Sequence, residues 1–203
     1  MRMIYTIGHS NYDCDYFMEL LFKFKINTVV DVRSVPFSKY VPHFNKDNIK
    51  NLLNNYGIHH VYMGEELGII KDNSSLLSKD GYLDYEKVKE TVLFKNGIIR
   101  IRDGFSKGYT IAIMCTEKDP IDCHRSILIG RELHKEKYSI VHVLFDGSME
   151  TQIQLEGRLL NMYFPVKMQQ DLFNIIEPYK SEDEILNKAY KLRNIDIGYR
   201  PGK

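Results

Sequence analysis

The chain has 203 residues, 43% of them hydrophobic and 27% charged, with a formal net charge of +1. Such a length and composition fit a globular chain with one well-formed core and exclude a disordered or collagen-like one. A balance this close to neutral excludes attraction of the whole surface to nucleic acid or membrane, so any basic site must be local. Met3 to Ile7 reads as a first strand, ending at Gly8-His9-Ser10. Asp13 or Asp15 caps the helix that follows, whose Phe17, Leu20, Leu21 and Phe24 recur at helical spacing. Thr28 to Val32 is a second buried strand that delivers Asp31 and Arg33. Beyond Pro36 and Pro42, Asn45 to Tyr56 reads as a helix stopped by Gly57, and Ile58 to Met63 as a third strand ending at Gly64-Glu65-Glu66.

The segment from Ile69 to Gly81 has no clear period and is expected to be an excursion over the cleft. Tyr85, Val88 and Val92 then have helical spacing, Asn96-Gly97 is an expected break, and a second short helix runs to about Ser106. Thr110 to Met114 is an apolar run without alternation, as in a strand buried on both faces. Ser139 to Phe145 is a fifth strand, ending at Asp146-Gly147-Ser148. Glu150 to Tyr163 is a candidate helix, and Ser181 with Glu184 starts another that turns Ile185, Leu186, Ala189 and Tyr190 inward. The tail Tyr199 to Lys203 is expected to fray.

Strands alternating with helices imply an α/β fold: a mostly parallel central sheet of about five strands with helices on both faces, plus C-terminal helices. Residues 1–148 are expected to form the core and 149–203 a helical extension packed on it. No run approaches the roughly 18 apolar residues of a membrane span, and Met3 to Ile7 is too short for a signal-peptide core. The three cysteines suggest no disulfide framework, so the expected location is the cytoplasm, with no membrane partner.

The chemistry is concentrated between Tyr109 and Leu133. Cys115, Thr116 and Glu117 end the central strand; a turn with Pro120 follows, and Asp122 is placed to cap a helix beginning Cys123-His124-Arg125. If the five strands run parallel, His9-Ser10, Asp31-Arg33, Glu65-Glu66, Cys115-Glu117 and Asp146-Ser148 gather along one edge of the sheet, where open α/β folds bind ligands.

Thr6-Ile7-Gly8-His9-Ser10, then Asp31-Val32-Arg33 with Pro36 and Ser38, then Cys115-x-Glu117 with Pro120 and Cys123-His124-Arg125, resemble the signature set of the domain of unknown function 488 family. The resemblance implies an α/β fold with these motifs grouped, and no particular reaction. The chain departs from it in having Leu67-Gly68-Ile69 after the third strand and Thr116 beside Cys115. A weaker likeness is to rhodanese-type domains, which pair a strand ending Asp-Val-Arg with a later catalytic Cys; here nine residues separate Cys115 from Arg125, about twice that type of loop.

The leading expectation is an enzyme, of unknown reaction class, that binds a small anionic substrate bearing phosphate or carboxylate. Arg33 and Arg125 are the candidate clamp, with Ser10, Asp31 and Ser38 beside them. His9, Glu117 and His124 are candidates to move protons, and Cys123 or Cys115 to act as nucleophile. Asp31 with Arg125, or Glu117 with Arg33, are alternative ion pairs that would brace the strand ends. Cys115, Glu117, Cys123 and His124 are ligand types that suit zinc. Their spacing matches no zinc knuckle or ribbon, and adjacent Cys123 and His124 on a helix start are expected to point apart, so no residue is assigned to a metal. The rivals are a rhodanese-like sulfurtransferase or thiol redox protein using Cys115 and Cys123, and a nucleic-acid-binding or accessory module without catalysis. The net charge does not support the last, whose only signals are Lys39-Tyr40 near His43-Phe44 and Lys180 after Tyr179.

Overall fold

Runs of Val, Ile and Ala flanked by turn residues become the strands β1 (Ile4–Gly8), β2 (Thr28–Asp31), β3 (His59–Tyr62), β4 (Ile111–Cys115) and β5 (Ile140–Val143). The computed structural model describes residues 3–70, 73–165 and 181–202. The five strands are parallel, and a sixth, β6 (Met149–Thr151), adds antiparallel to β5. The sheet order is β3-β2-β4-β1-β5-β6. Central strands β2 and β4 are buried at every residue, as expected of strands covered on both faces.

Helices α1 (Cys14–Lys23) and α2 (Lys46–Asn55) cover one face. They pack Phe17, Leu20, Leu21, Ile49 and Leu53 against Ile7, Val29, Ala112 and Met114. The other face carries α4 (Tyr85–Glu90), α5 (Val92–Ser106), α6 (Arg131–Lys135), α7 (Gln152–Tyr163) and α8 (Glu182–Ile197). Its apolar cluster joins Val30, Ile111 and Ile113 to Phe94, Ile98, Leu133, Leu155, Leu159, Ala189 and Tyr190. A four-residue helix, α3 (Gly64–Leu67), follows β3. Chain leaves β1 for the α1 face and leaves β4 for the α6 face, so the adjacent ends of β1 and β4 form the topological switch point.

Local signals were obeyed in several places. The Asp13 side chain accepts the Tyr16 amide and caps α1, and Gly57 ends α2 at a positive φ of 70°. Ser181 caps α8 through the Glu184 amide. The expected break at Asn96-Gly97 falls instead at Thr91, which is extended and caps α5 with its hydroxyl on the Phe94 amide. Gly97 is continuous helix, and a Cβ there would lie 2.6 Å from the Leu67 side chain, so the glycine serves the close approach of α5 to α3.

Beyond residue 148 the described residues pack on the core. β6 extends the central sheet, and α7 and α8 complete the same apolar cluster as β4. The tail is held rather than frayed: the Leu83 amide donates to the Tyr199 carbonyl at 2.8 Å, and Arg200 donates to the Asp80 and Ile195 carbonyls. Lys203 lies outside the described residues, as do residues 71 and 72 of the 69–81 excursion. What is described of that excursion is a 3-10 turn at Ser74–Leu76 and a bridge between Leu77 and Leu83, with Leu76 and Leu83 in the apolar cluster that holds Cys115 and Cys123. Among the described residues, no helix is long and apolar enough to cross a membrane.

Candidate metal centre

β4 ends at Cys115, and the loop beyond it returns the chain to the same spot. Pro120–Asp122 form a 3-10 turn capped by Asp119, whose side chain accepts the Ile121 amide. The helix cap expected at Asp122 falls one residue later, because Asp122 is drawn off to Arg193 of α8. Cys123 takes the cap position in extended conformation, with φ −133° and ψ 141°. Its carbonyl accepts the Ser126 and Ile127 amides, and its Sγ accepts the Arg125 amide at 3.4 Å. A π-helical turn, Arg125–Gly130, then runs into α6, a distortion of the kind that recurs at functional sites.

This geometry brings Cys115, Glu117, Cys123 and His124 together: one ligand atom from each lies within 4.8 Å of all the others. His124 Nδ1 is 3.8 Å from Cys115 Sγ and 3.9 Å from Cys123 Sγ, and Glu117 Oε2 is 2.9 Å from Cys123 Sγ. The expectation that Cys123 and His124 diverge is therefore corrected. It assumed that both residues are helical, whereas Cys123 is extended and His124 alone begins the helix, with φ −61° and ψ −24°. His124 Nε2 lies 3.3 Å from the Val32 carbonyl oxygen. A carbonyl can only accept, so Nε2 carries a proton and Nδ1 is the ring nitrogen that faces the sulfurs, the placement found when a metal-binding histidine is oriented from outside. Burial opposes protonation of this ring, but Cys123 and Glu117 raise its pKa.

The electrostatics agree with a site that gathers negative charge. Burial opposes ionisation of Cys123, but Cys115, Arg125 and His124 outweigh it and pull this thiol well below its usual range. Cys115 is pushed the other way, by its contact with Cys123 and then by burial. Burial and the nearby Cys123 raise Glu117. All three cysteines of the chain are free, Cys14 lying apart in α1.

Arg125 is completely buried. It meets no carboxylate among the described residues; NH1 and NH2 donate to the carbonyls of Glu117 and Lys118 at 2.8 and 3.3 Å, and Nε has no acceptor among them. An unbalanced buried cation is costly, and the thiol that its charge helps to ionise is Cys123. The anion clamp expected of Arg33 and Arg125 is thus not formed: both guanidiniums face inward. Neither of the expected ion pairs forms, since Arg33 joins its own neighbour, Asp31, through two bonds of 2.9 and 2.7 Å.

His9 belongs to that second group. Its Nε2 is 3.0 Å from Arg33 NH1 and its Nδ1 3.0 Å from the Ser10 carbonyl, and its ring stacks on Phe44. Burial, then the Arg33 charge, lowers its pKa to about 4, so it stays neutral near pH 7. Asp31 also lies 3.5 Å from His60 Nε2, a neighbour that no motif or spacing singles out. The two groups touch through backbone: the His9 and Ser10 amides donate to the Cys115 and Thr116 carbonyls, both at 2.9 Å, filling the switch point with peptide. Ser10 Oγ bonds Asn11, and Ser38 braces its own loop by accepting the Tyr40 and Val41 amides.

Tyr85 was missed. It is buried at the start of α4, close enough to Cys123, Glu117 and Cys115 that burial and their charges push its hydroxyl well up. Nothing local signals this, because Tyr85 reads as a helix-face residue. Of the small aromatic and basic patches, Lys39 lies over the Tyr40 ring at 5.0 Å; Tyr179 and Lys180 lie outside the described residues.

No curated protein and no solved structure matches the chain, so the likeness to rhodanese-type domains gains no support. A family model does match, over residues 13–131, which takes in Asp31-Val32-Arg33, the four clustered ligands and Arg125, while Thr6 to Ser10 falls before it. More than half of the 203 residues being covered, the chain belongs to the family described as domain of unknown function DUF488.

Proposed function

We propose that this protein binds one zinc-class divalent ion through Cys115, Glu117, Cys123 and His124, and that the ion is the centre of an enzymatic site. The observation that carries this reading is the placement of His124 Nδ1 against two sulfurs, with Nε2 held from behind by the Val32 carbonyl. Ligand atoms around tetrahedral zinc stand about 3.3–3.8 Å apart, given metal–ligand bonds of about 2.0–2.3 Å; the two sulfur–nitrogen distances here, 3.8 and 3.9 Å, lie at the upper end, and the 2.9 Å hydrogen bond between Glu117 Oε2 and Cys123 Sγ has to open for an ion to enter. Two thiolates and an imidazole select zinc or a similar ion over magnesium or calcium. With Glu117 ionised, two thiolates and a dication leave one net negative charge, which the buried Arg125 balances. A phosphate- or carboxylate-bearing substrate then meets the metal, not Arg33.

Elemental analysis of the purified chain should give about one zinc per molecule, lost in both Cys123→Ser and His124→Ala. A wild-type chain that takes up no zinc from a metal buffer would remove this reading.

A thiol reading is favoured by a separate observation, the amide of Arg125 on Cys123 Sγ. In that case Cys123 works without a metal, as a sulfur carrier or redox thiol. Iodoacetamide labelling separates the two: a zinc-bound Cys123 is protected until a chelator is added, and a working thiol is labelled equally with and without it.

A further inference from the structure

Resting on the metal reading above, we propose that Glu117 is the exchangeable ligand, and that the position it vacates admits water or a small oxyanion of the carboxylate or phosphate class. Cys115, Cys123 and His124 are 3%, 1% and 5% exposed, whereas Glu117 lies on the surface between exposed Thr116 and Lys118. The three buried ligands are each held in place. Cys115 sits in the β4 ladder, Cys123 caps a helix with its carbonyl and accepts an amide on its sulfur, and His124 is tied to Val32.

Glu117 is fixed differently. Its carbonyl is held by Arg125 and pressed against Gly8, so the backbone cannot move, while its carboxylate bonds Cys123 Sγ through Oε2. A side chain swinging from an anchored backbone exchanges without disturbing the other ligands. Beneath the loop, the fully buried Arg125 donates to the Glu117 and Lys118 carbonyls and keeps an Nε–H with no acceptor among the described residues, a positive group under the segment that carries Glu117. At the rim, Lys118 Nζ lies 3.5 Å above the Phe145 ring and adds a second cation. Exchange breaks one metal–oxygen bond and makes another, with no electron transferred. Catalytic zinc sites differ from structural ones in this respect, three protein ligands holding the ion and the fourth position open.

The test uses the full chain loaded with cobalt, whose visible absorption reports the ligands. Titration with inorganic phosphate, and separately acetate, should shift the wild-type spectrum saturably. Glu117→Ala should keep cobalt with affinity lowered by about tenfold or less and bind phosphate at least about tenfold more tightly than wild type, whereas Cys123→Ser should lose about a hundredfold or more in cobalt affinity. A cobalt spectrum unmoved by either anion, or a Glu117→Ala chain as poor in cobalt as Cys123→Ser, overturns the exchange and leaves a closed structural site. Wild-type protein that binds no cobalt overturns the metal reading itself.

Discussion

Gly8 and Glu117 meet backbone to backbone: a Cβ on Gly8 would overlap the Glu117 carbonyl oxygen and lie 3.1 Å from Arg125 NH2. The end of β1 is therefore the floor under the loop that carries Glu117, and only glycine fits there. Gly8→Ala should destabilise by about 1–3 kcal/mol, as overpacking does, and should weaken zinc binding as the loop is pushed outward. Gly157 is the matched control, exposed in α7 with nothing within 4 Å of an added Cβ. Gly157→Ala should stabilise by about 0.5–1 kcal/mol through helix propensity alone. Urea titrations of both variants check the contrast.

Zinc should stabilise the fold by linkage, since the four ligands converge only when β4, the loop and the start of the π-helical turn are formed. At free zinc one hundred times the dissociation constant the gain is about 2.7 kcal/mol. Thermal melts with zinc and with chelator should differ accordingly in wild type. In Cys123→Ser the two melts should coincide; a shift that persists would place the ion elsewhere.

Much of the frame was legible because it rests on local chemistry. Thr28 to Val32 and Thr110 to Met114 are too uniformly apolar for anything but central strands, and Asp13 and Gly57 punctuate α1 and α2 with ordinary caps. What escaped depends on partners distant in sequence. Met149-Glu150-Thr151 is too short to show a period and becomes β6 only because β5 lies beside it. Thr91 ends α4 by reversing direction, while Gly97, a breaker by propensity, is held in helix by packing on Leu67. The site shows the same division. Its four clustered ligands were all selected from the sequence and Tyr85 and His60 were not, while the grouping turned on the backbone angles of Cys123, which place its side chain beside that of His124, and on Asp31 capturing Arg33.

His142 makes stability depend on pH through a buried chain of hydrogen bonds on the face of the sheet that also holds Cys115 and Cys123. It is completely buried between Thr6 Oγ1 at 2.8 Å and Gln152 Oε1 at 3.0 Å, and Gln152 continues to the Tyr190 hydroxyl of α8. Burial, then the charge of Arg125, lowers its pKa to about 3 from 6.5. Above pH 6.5 folded and unfolded states are both neutral here, so the contribution is complete. As pH falls from 6.5 toward 3 the unfolded chain takes up a proton that the folded one refuses, and stability drops by as much as about 1.4 kcal/mol per pH unit. Asp31, held down to about 2 by Arg33 and His60 against the opposing effect of burial, contributes above pH 3.8 and loses that contribution as pH falls toward 2. Urea midpoints measured in chelator between pH 7 and pH 4 should slope downward in wild type and less steeply in His142→Gln. Parallel slopes would reject the assignment.

Arg125 combines two roles that substitution can separate. Its fork satisfies the Glu117 and Lys118 carbonyls, which is a matter of hydrogen-bond geometry, and its charge faces an anionic cluster, which is a matter of electrostatics. Arg125→Lys keeps the charge but cannot reach both carbonyls, so it should cost about 1–3 kcal/mol for groups left unsatisfied and change zinc affinity by less than about tenfold, within the range seen for outer contacts of a metal site. Arg125→Met fills similar volume without charge. In chelator its stability should resemble that of the Lys variant, because both lose the same fork, while its zinc affinity should fall by about 10–100-fold as the site's negative charge loses its counterion. Zinc titrations and urea titrations of the two variants supply both quantities. If the Lys and Met variants bind zinc equally well, the guanidinium is only a brace for the loop, and the charge balance assigned to it is wrong.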